Sequence, residues 1–180
     1  MSQRYEIRLS GAGGQGLILA GKILAEAAAI YENKNATQSQ SYGPEARGGA
    51  SRSEVIISDG DIDFPKASAL DLLLCLTQEA CDKYVGDLKA DGLLIIDSRF
   101  VKDIPEGTFR ITRADISKIA EEKVGRSVVA NMVALGVIVA ATRIVLPDSA
   151  ERAISGRVPR GTEELNVKAF RLGLQAVNGK

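Results

Sequence analysis

The stretch SGAGGQGLILAG, residues 10–21, sets glycines at 11, 13 and 16 in the spacing G-x-G-x-x-G, with a further glycine at 14 and Gln15 beside it. Tyr5 to Leu9 before it alternate apolar and polar residues and read as a strand. Leu17 to Ile30 after it are rich in Ala and Leu and read as a helix. A glycine turn between strand and helix exposes backbone N–H groups at the positive end of the helix dipole, where a phosphate can approach without meeting a Cβ. The chemistry open to Gly11, Gly13, Gly14, Gln15 and Gly16 is therefore binding. The same glycines can equally serve strand–helix packing or contact with a neighbouring chain.

Other chemistries are excluded by composition. The 180 residues include no histidine, so a Ser-His-Asp triad, a histidine base and a histidine-ligated metal are all absent from this chain. Its two cysteines, Cys75 and Cys81, cannot alone hold a four-thiolate zinc or an iron–sulfur cluster. Cys75 sits in the apolar run Leu72–Leu76 and reads as a buried, inert thiol, while Cys81 reads as the more exposed of the two. Lys+Arg and Asp+Glu balance at 23 each, so no net field favours nucleic acid or an acidic membrane. A dinucleotide site further needs a second strand closing on an acidic residue about 20 residues beyond the turn. Glu32 stands at a fitting distance, but IYENKNATQ supplies no apolar strand to lead into it. NAD is rejected as the first choice.

Periodicity gives the strands and helices around the turn. Ala36 to Gln40 is a short extended piece, Ser41 to Gly49 a loop, and Ser53 to Ile57 a strand. Asp59-Gly60-Asp61 then signals a hairpin into Ile62 and Phe64. Leu70 to Leu76 and Leu93 to Asp97 are near-continuous apolar runs of the kind buried on both faces of a parallel sheet, the second entered through Asp91-Gly92. Gln78 to Val85 and Ala114 to Val124 read as helices, and Thr108 to Thr112 as a weaker strand. Ser127 to Val145 is the most apolar segment. Asn131 and Arg143 interrupt it, so it reads as a buried core helix that Pro147 stops, and not as a membrane span. Asn131 is either a buried hydrogen bonder or a subunit contact, the structural role being preferred. Asp148 to Ile154 opens a further helix, and Gly161 to Val177 forms the last one, with Thr162 as its N-cap. Arg152, Arg157 and Arg160 read as a solvated basic face. The expected fold is α/β with three layers, a mostly parallel sheet, helices on both faces and a hairpin after the second loop, in one domain over residues 1–180. The first residues carry no long apolar stretch, which makes cytoplasm the expected location.

GAGGQGLILAGKILAEAA at 11–28, taken together with TQSQSYGPEARGGASRSEVIISD at 37–59, resembles the gamma subunit of 2-oxoacid:ferredoxin oxidoreductases, the pyruvate/2-oxoisovalerate oxidoreductase family. The likeness continues through DLLLCLTQEACDKY, GLLIIDS and VVANMVALGVIVAAT, and the wording of the second loop is most similar to the 2-oxoglutarate branch. The resemblance implies one subunit of a heteromeric enzyme that converts a 2-oxoacid and coenzyme A to acyl-CoA, carbon dioxide and reduced ferredoxin or a related acceptor. Thiamine pyrophosphate with its magnesium, and the iron–sulfur clusters, then belong to thiamine-binding and ferredoxin-like partner chains. Accordingly Asp59-Gly60-Asp61 is not the Gly-Asp-Gly that opens a thiamine-diphosphate magnesium site, and no catalytic or metal-ligating residue is assigned to this chain.

Within that resemblance the two loops acquire roles toward coenzyme A or toward partner chains. Residues Gly11 to Gly16 face a coenzyme A phosphate or a neighbouring subunit. Arg47 can pair bidentately with phosphate or carboxylate, Gly48 and Gly49 permit close backbone approach, and Tyr42 offers a flat face and a hydroxyl. The competing role for Arg47 is a salt bridge to Glu45, to Glu54 or across a subunit boundary. Two other readings stay open: a stand-alone nucleotide-binding enzyme, and a non-catalytic scaffold subunit. Apolar surface left without its partners also leaves a homodimer of the isolated chain open.

Overall fold

Alternation along Tyr5–Leu9 produces the central strand of the molecule, β1 (Arg4–Ala12). The computed structural model describes residues 4–41 and 50–178. After β1 come α1 (Leu17–Glu26), prolonged by a π-helical turn Ala27–Tyr31, then β2 (Asn35–Ser41), β3 (Ala50–Ser58), β4 (Leu70–Cys75) and α2 (Gln78–Tyr84). They are followed by β5 (Leu88–Asp97), β6 (Arg110–Ala114), and α3 (Ile116–Lys118) with a π-helical turn Ile119–Val124. The chain continues with α4 (Ala130–Thr142), α5 (Pro147–Arg157) and α6 (Glu163–Asn178). The six strands form one sheet in the order β2-β3-β1-β4-β5-β6. β1, β4, β5 and β6 run parallel, while β3 lies antiparallel between β1 and β2. The α/β class and the mostly parallel sheet are as the alternating elements predict.

Both faces of the sheet are covered, unequally. On one face Ile7, Leu9, Leu72, Leu74 and Ile95 meet α1 and the helices from α3 onward. On the other, Leu73, Cys75, Leu94 and Ile96 meet Ala80, Cys81 and Tyr84 of α2 together with Val101. Every residue of α4 from Asn131 to Val139 is buried, the signature of a helix enclosed by core. Among the described residues no helix is long and apolar enough to cross a membrane.

Four expectations are corrected. The hairpin falls around the second loop, β2 against β3, and not after it. β3 already has β1 on one edge and β2 on the other, so residues 59–69 cannot fold back onto the strand they follow, and Phe64 stays exposed. Asp91 and Gly92 lie inside β5, where the ladder with β4 shifts register between Leu70 and Leu72. Arg143, in the left-handed conformation at φ 52°, ends α4, and Pro147 begins α5, where its missing N–H costs nothing. Cys81 is as buried as Cys75. The Cys75 thiol beside it lowers the pKa of Cys81; the interaction with Cys81, and burial, push Cys75 well up.

Two contacts set how tightly the layers close. Where α4 crosses α6, a Cβ on Gly173 would lie 2.1 Å from the Val133 carbonyl oxygen, so the helix backbones touch directly. Gly173→Ala should therefore cost about 2–3 kcal/mol by overpacking, read as a lowered urea midpoint with unchanged slope. At the other end of β1, buried Glu6 accepts the N–H groups of Ser68 and Ala69 at 2.6 and 3.1 Å and the Arg4 Nε–H at 2.7 Å. Burial pushes this carboxyl up, but the bonds from Arg4, Ala69 and Ser68 together outweigh it, so the pKa is lowered from 4.5. A carboxyl lowered in the folded state contributes stability above its unfolded pKa and loses it as pH falls through the folded value. Glu6→Gln should be less stable than the parent at neutral pH, and the gap should narrow in denaturation curves recorded at progressively more acidic pH.

Candidate functional site

The parallel strands bring their C-terminal ends to one edge of the sheet. There α1 leaves β1 toward one face while α2 leaves the adjacent β4 toward the other. This divergence is a topological switch point, the place where open α/β sheets leave a crevice for ligands. Ser10 ties the two strand ends together: its carbonyl accepts the Leu76 N–H at 2.9 Å and its hydroxyl donates to the Leu74 carbonyl at 2.7 Å. The glycine turn begins two residues later.

Within the turn the candidate residues divide into two groups. Gln15 is folded back on its own chain, with Oε1 accepting the Ala12 N–H at 2.7 Å. It fills the side-chain space of Gly11, where a Cβ would stand 2.2 Å from that oxygen. Gly16 caps α1 at φ 71°, ψ 20°, with no side-chain cap and no acidic residue in the first turn. A Cβ there would lie 2.4 Å from Asn131 Nδ2. Gly11, Gln15 and Gly16 thus hold the turn from inside. Gly13 and Gly14 are exposed, the latter at φ 85°, and added Cβ atoms would meet nothing within 4 Å. They are the part of the motif that an outside group can reach.

Tyr42, Arg47, Gly48 and Gly49 lie outside the described residues. What the sheet does place is the pair of strand ends that carry their segment. Ala50 pairs with Ala12 at the lip of the glycine turn, and Ser41 pairs with Arg52 on the next strand. The two loops that carry the sequence resemblance, far apart in the chain, therefore spring from neighbouring positions on one edge.

Two features were missed or only half read in the sequence. Asn131 proves to be the buried hydrogen bonder: its Nδ2 donates to the Gly16 carbonyl at 3.1 Å and its Oδ1 accepts the Met132 N–H at 2.9 Å. Glu54 is engaged by Arg8, whose buried guanidinium gives Nε–H and Nη2–H bonds to Glu54 Oε1 at 3.0 and 2.8 Å. The same guanidinium also pairs with Asp87 and lies 5.0 Å from the centre of the Tyr84 ring. Arg52 stands 3.7 Å from Glu54 and 5.6 Å from the same ring. Only the polar half of the alternation in β1 hinted at these partners.

The remaining assignments are simpler. Glu32, weighed for a ribose, accepts the Leu146 N–H at 2.6 Å and pairs with Lys34 at 3.1 Å. Arg152, Arg157 and Arg160 are exposed; Arg152 lies over Tyr31 and Arg157 pairs with Glu26. Thr162 donates its hydroxyl to the Pro159 carbonyl at 2.7 Å and accepts from the Asn166 side chain. Among the described residues no group of three acids or cysteines is placed to hold a metal ion.

A family model described as pyruvate ferredoxin/flavodoxin oxidoreductase matches residues 6–176. The chain belongs to this family. A 2-oxoglutarate synthase subunit KorC from Methanocaldococcus jannaschii is 51% identical over 177 residues, 97% of this chain and 95% of the relative. The crystal structure of the gamma subunit of a keto/oxoacid ferredoxin oxidoreductase from Geobacter sulfurreducens superposes with a TM-score of 0.91 at 56% identity, covering 98% of both chains. A 2-oxoglutarate:ferredoxin oxidoreductase from Magnetococcus marinus, solved with 2-oxoglutarate, coenzyme A and succinyl-CoA bound, shares the fold at 22% identity and a TM-score of 0.87. It does so over 99% of this chain and 32% of that one.

For this family member the inner and outer glycines should respond differently to the same substitution. Gly16→Ala should destabilise the isolated chain by about 1–2 kcal/mol, because a left-handed cap does not accept a Cβ. Gly13→Ala should stay within about 0.5 kcal/mol. Urea denaturation of the two variants beside the parent checks both.

Proposed function

We propose that this chain, as one gamma-type domain, is a subunit of a multisubunit 2-oxoglutarate:ferredoxin or related acceptor oxidoreductase. The overall reaction takes 2-oxoglutarate and coenzyme A to succinyl-CoA and carbon dioxide, with two electrons passed to the acceptor. The observation that carries this reading is the near-complete, two-way coverage by KorC subunits, at 51% and 48% identity for the first two. The chain's own chemistry agrees with a shared enzyme, since it has no histidine and only two buried cysteines.

Thiamine pyrophosphate, held in a partner chain, supplies the electron sink for decarboxylation. The residues here bind and orient the other substrate. Gly13 and Gly14 present backbone N–H groups to a phosphate of coenzyme A at the opening of α1, where the helix dipole adds to the attraction. Gly11, Gln15 and Gly16 keep that surface in shape. Tyr42, Arg47, Gly48 and Gly49 belong to the segment that springs from the strand ends beside the turn, with Arg47 suited to a second phosphate. A stand-alone dinucleotide enzyme fits less well, because Glu32 is committed to Leu146 and Lys34.

Co-expression with the thiamine-binding and ferredoxin-like chains tests the proposal. The complex should reduce a low-potential dye with 2-oxoglutarate and coenzyme A, and should do so better than with pyruvate or branched-chain 2-oxoacids. Leaving out this chain should abolish coenzyme A-dependent turnover. Full turnover by this chain alone, or by partners without it, contradicts the assignment.

A further inference from the structure

We propose that Asn131 is a positioning residue for the coenzyme A face, acting through Gly16; the inference rests on the reading of the glycine turn just given. Asn131 comes 115 residues after Gly16, in the first turn of α4, and is 4% exposed. Its Nδ2 donates to the Gly16 carbonyl, the same oxygen that accepts the first intrahelical N–H of α1, from Ala20 at 3.1 Å. The amide is thus fastened to the cap peptide of α1. It also occupies the space a side chain at Gly16 would need. At the opposite end of the turn Gln15 is tied to the Ala12 N–H. Gly13 and Gly14 are held between these two inner ties with their outer side open.

The core holds α4 by other anchors as well. α4 is anchored by an unbroken run of buried residues, Met132 to Val139, and by its backbone contact with α6. With Asn131 removed, the Gly16 carbonyl keeps its bond from Ala20, so the polar group left without a partner is the Met132 N–H. What is lost is the link that fixes the α1 cap, and hence the direction of the N–H groups of the turn, relative to the rigid α4. A buried amide that satisfies both of its partners fixes geometry as well as contributing stability.

The test uses the assembled oxidoreductase with Asn131→Ala and Asn131→Asp, and with Gly13→Val as a control on the reading itself. Asn131→Asp is isosteric and keeps the acceptor for the Met132 N–H, but sets an oxygen against the Gly16 carbonyl. Both Asn131 variants should raise KM for coenzyme A about tenfold or more while KM for 2-oxoglutarate and kcat at saturating coenzyme A stay within about twofold. Equal changes in both KM values, or an unchanged KM for coenzyme A in variants that assemble while Gly13→Val raises it, overturn the role of Asn131. No effect of Gly13→Val overturns the reading of the turn instead. If neither Asn131 variant yields a folded chain, its role is structural and the proposal fails.

Discussion

The parallel pairing of β1 with β4, from Ile7 opposite Leu72 to Ser10 opposite Cys75, is the constraint on which the rest of the architecture depends. Once these strands are neighbours and their helices leave toward opposite faces, a crevice at their C-terminal ends follows from topology. β1 can sit at the centre only if its polar residues survive burial. Glu6, Arg8 and Ser10 are 6%, 3% and 0% exposed, and each has hydrogen-bond partners from outside β1: Ser68 and Ala69 for Glu6, Glu54 and Asp87 for Arg8, and the Leu74 carbonyl for Ser10. Removing one member, such as Glu54 beneath Arg8, would leave a buried charge poorly compensated, a change that costs several kcal/mol. The strand that presents the glycine turn is thus held by directional bonds as well as by apolar packing. That restricts where the turn can point.

Much of this was legible in sequence because it depends on local pattern. The apolar runs at 70–76 and 93–97 became the buried strands β4 and β5, and the apolar segment at 127–145 became the enclosed helix α4. Strand, glycine turn and helix appeared where the motif placed them. The unread parts depend on partners distant in the chain. The alternation in β1 describes equally a strand with one wet face and a strand whose polar face is buried and paired; only the arrival of Glu54, Asp87 and Tyr84 decides. Asp59-Gly60-Asp61 is sound turn chemistry, but β3 had no free edge left for a hairpin. Cys81 looked exposed between polar neighbours because the helical turn that carries it inward, capped by Thr77, presents that position to β4.

The candidate site shows the same division. The glycine spacing located the turn, yet it could not separate the residues that hold it from inside from those that face outward. In the fold, Gln15 and Asn131 occupy the side-chain spaces of Gly11 and Gly16, and the outward surface narrows to Gly13 and Gly14. The turn thus keeps the glycine spacing of a dinucleotide fingerprint while Glu32, the acid at the fitting distance, is engaged by Leu146 and Lys34. The β1–β3 and β2–β3 ladders add what spacing alone could not: the two loops of the family resemblance begin side by side.

We propose above that the glycine turn of this subunit meets coenzyme A in the assembled enzyme. Amide hydrogen exchange of the complex, followed by mass spectrometry with and without coenzyme A, addresses it directly. Peptides spanning residues 10–20 should become protected when coenzyme A is added, and not when 2-oxoglutarate is added alone. Protection confined to partner chains, with the exchange of residues 10–20 unchanged, would contradict this contact and leave the turn as a packing element.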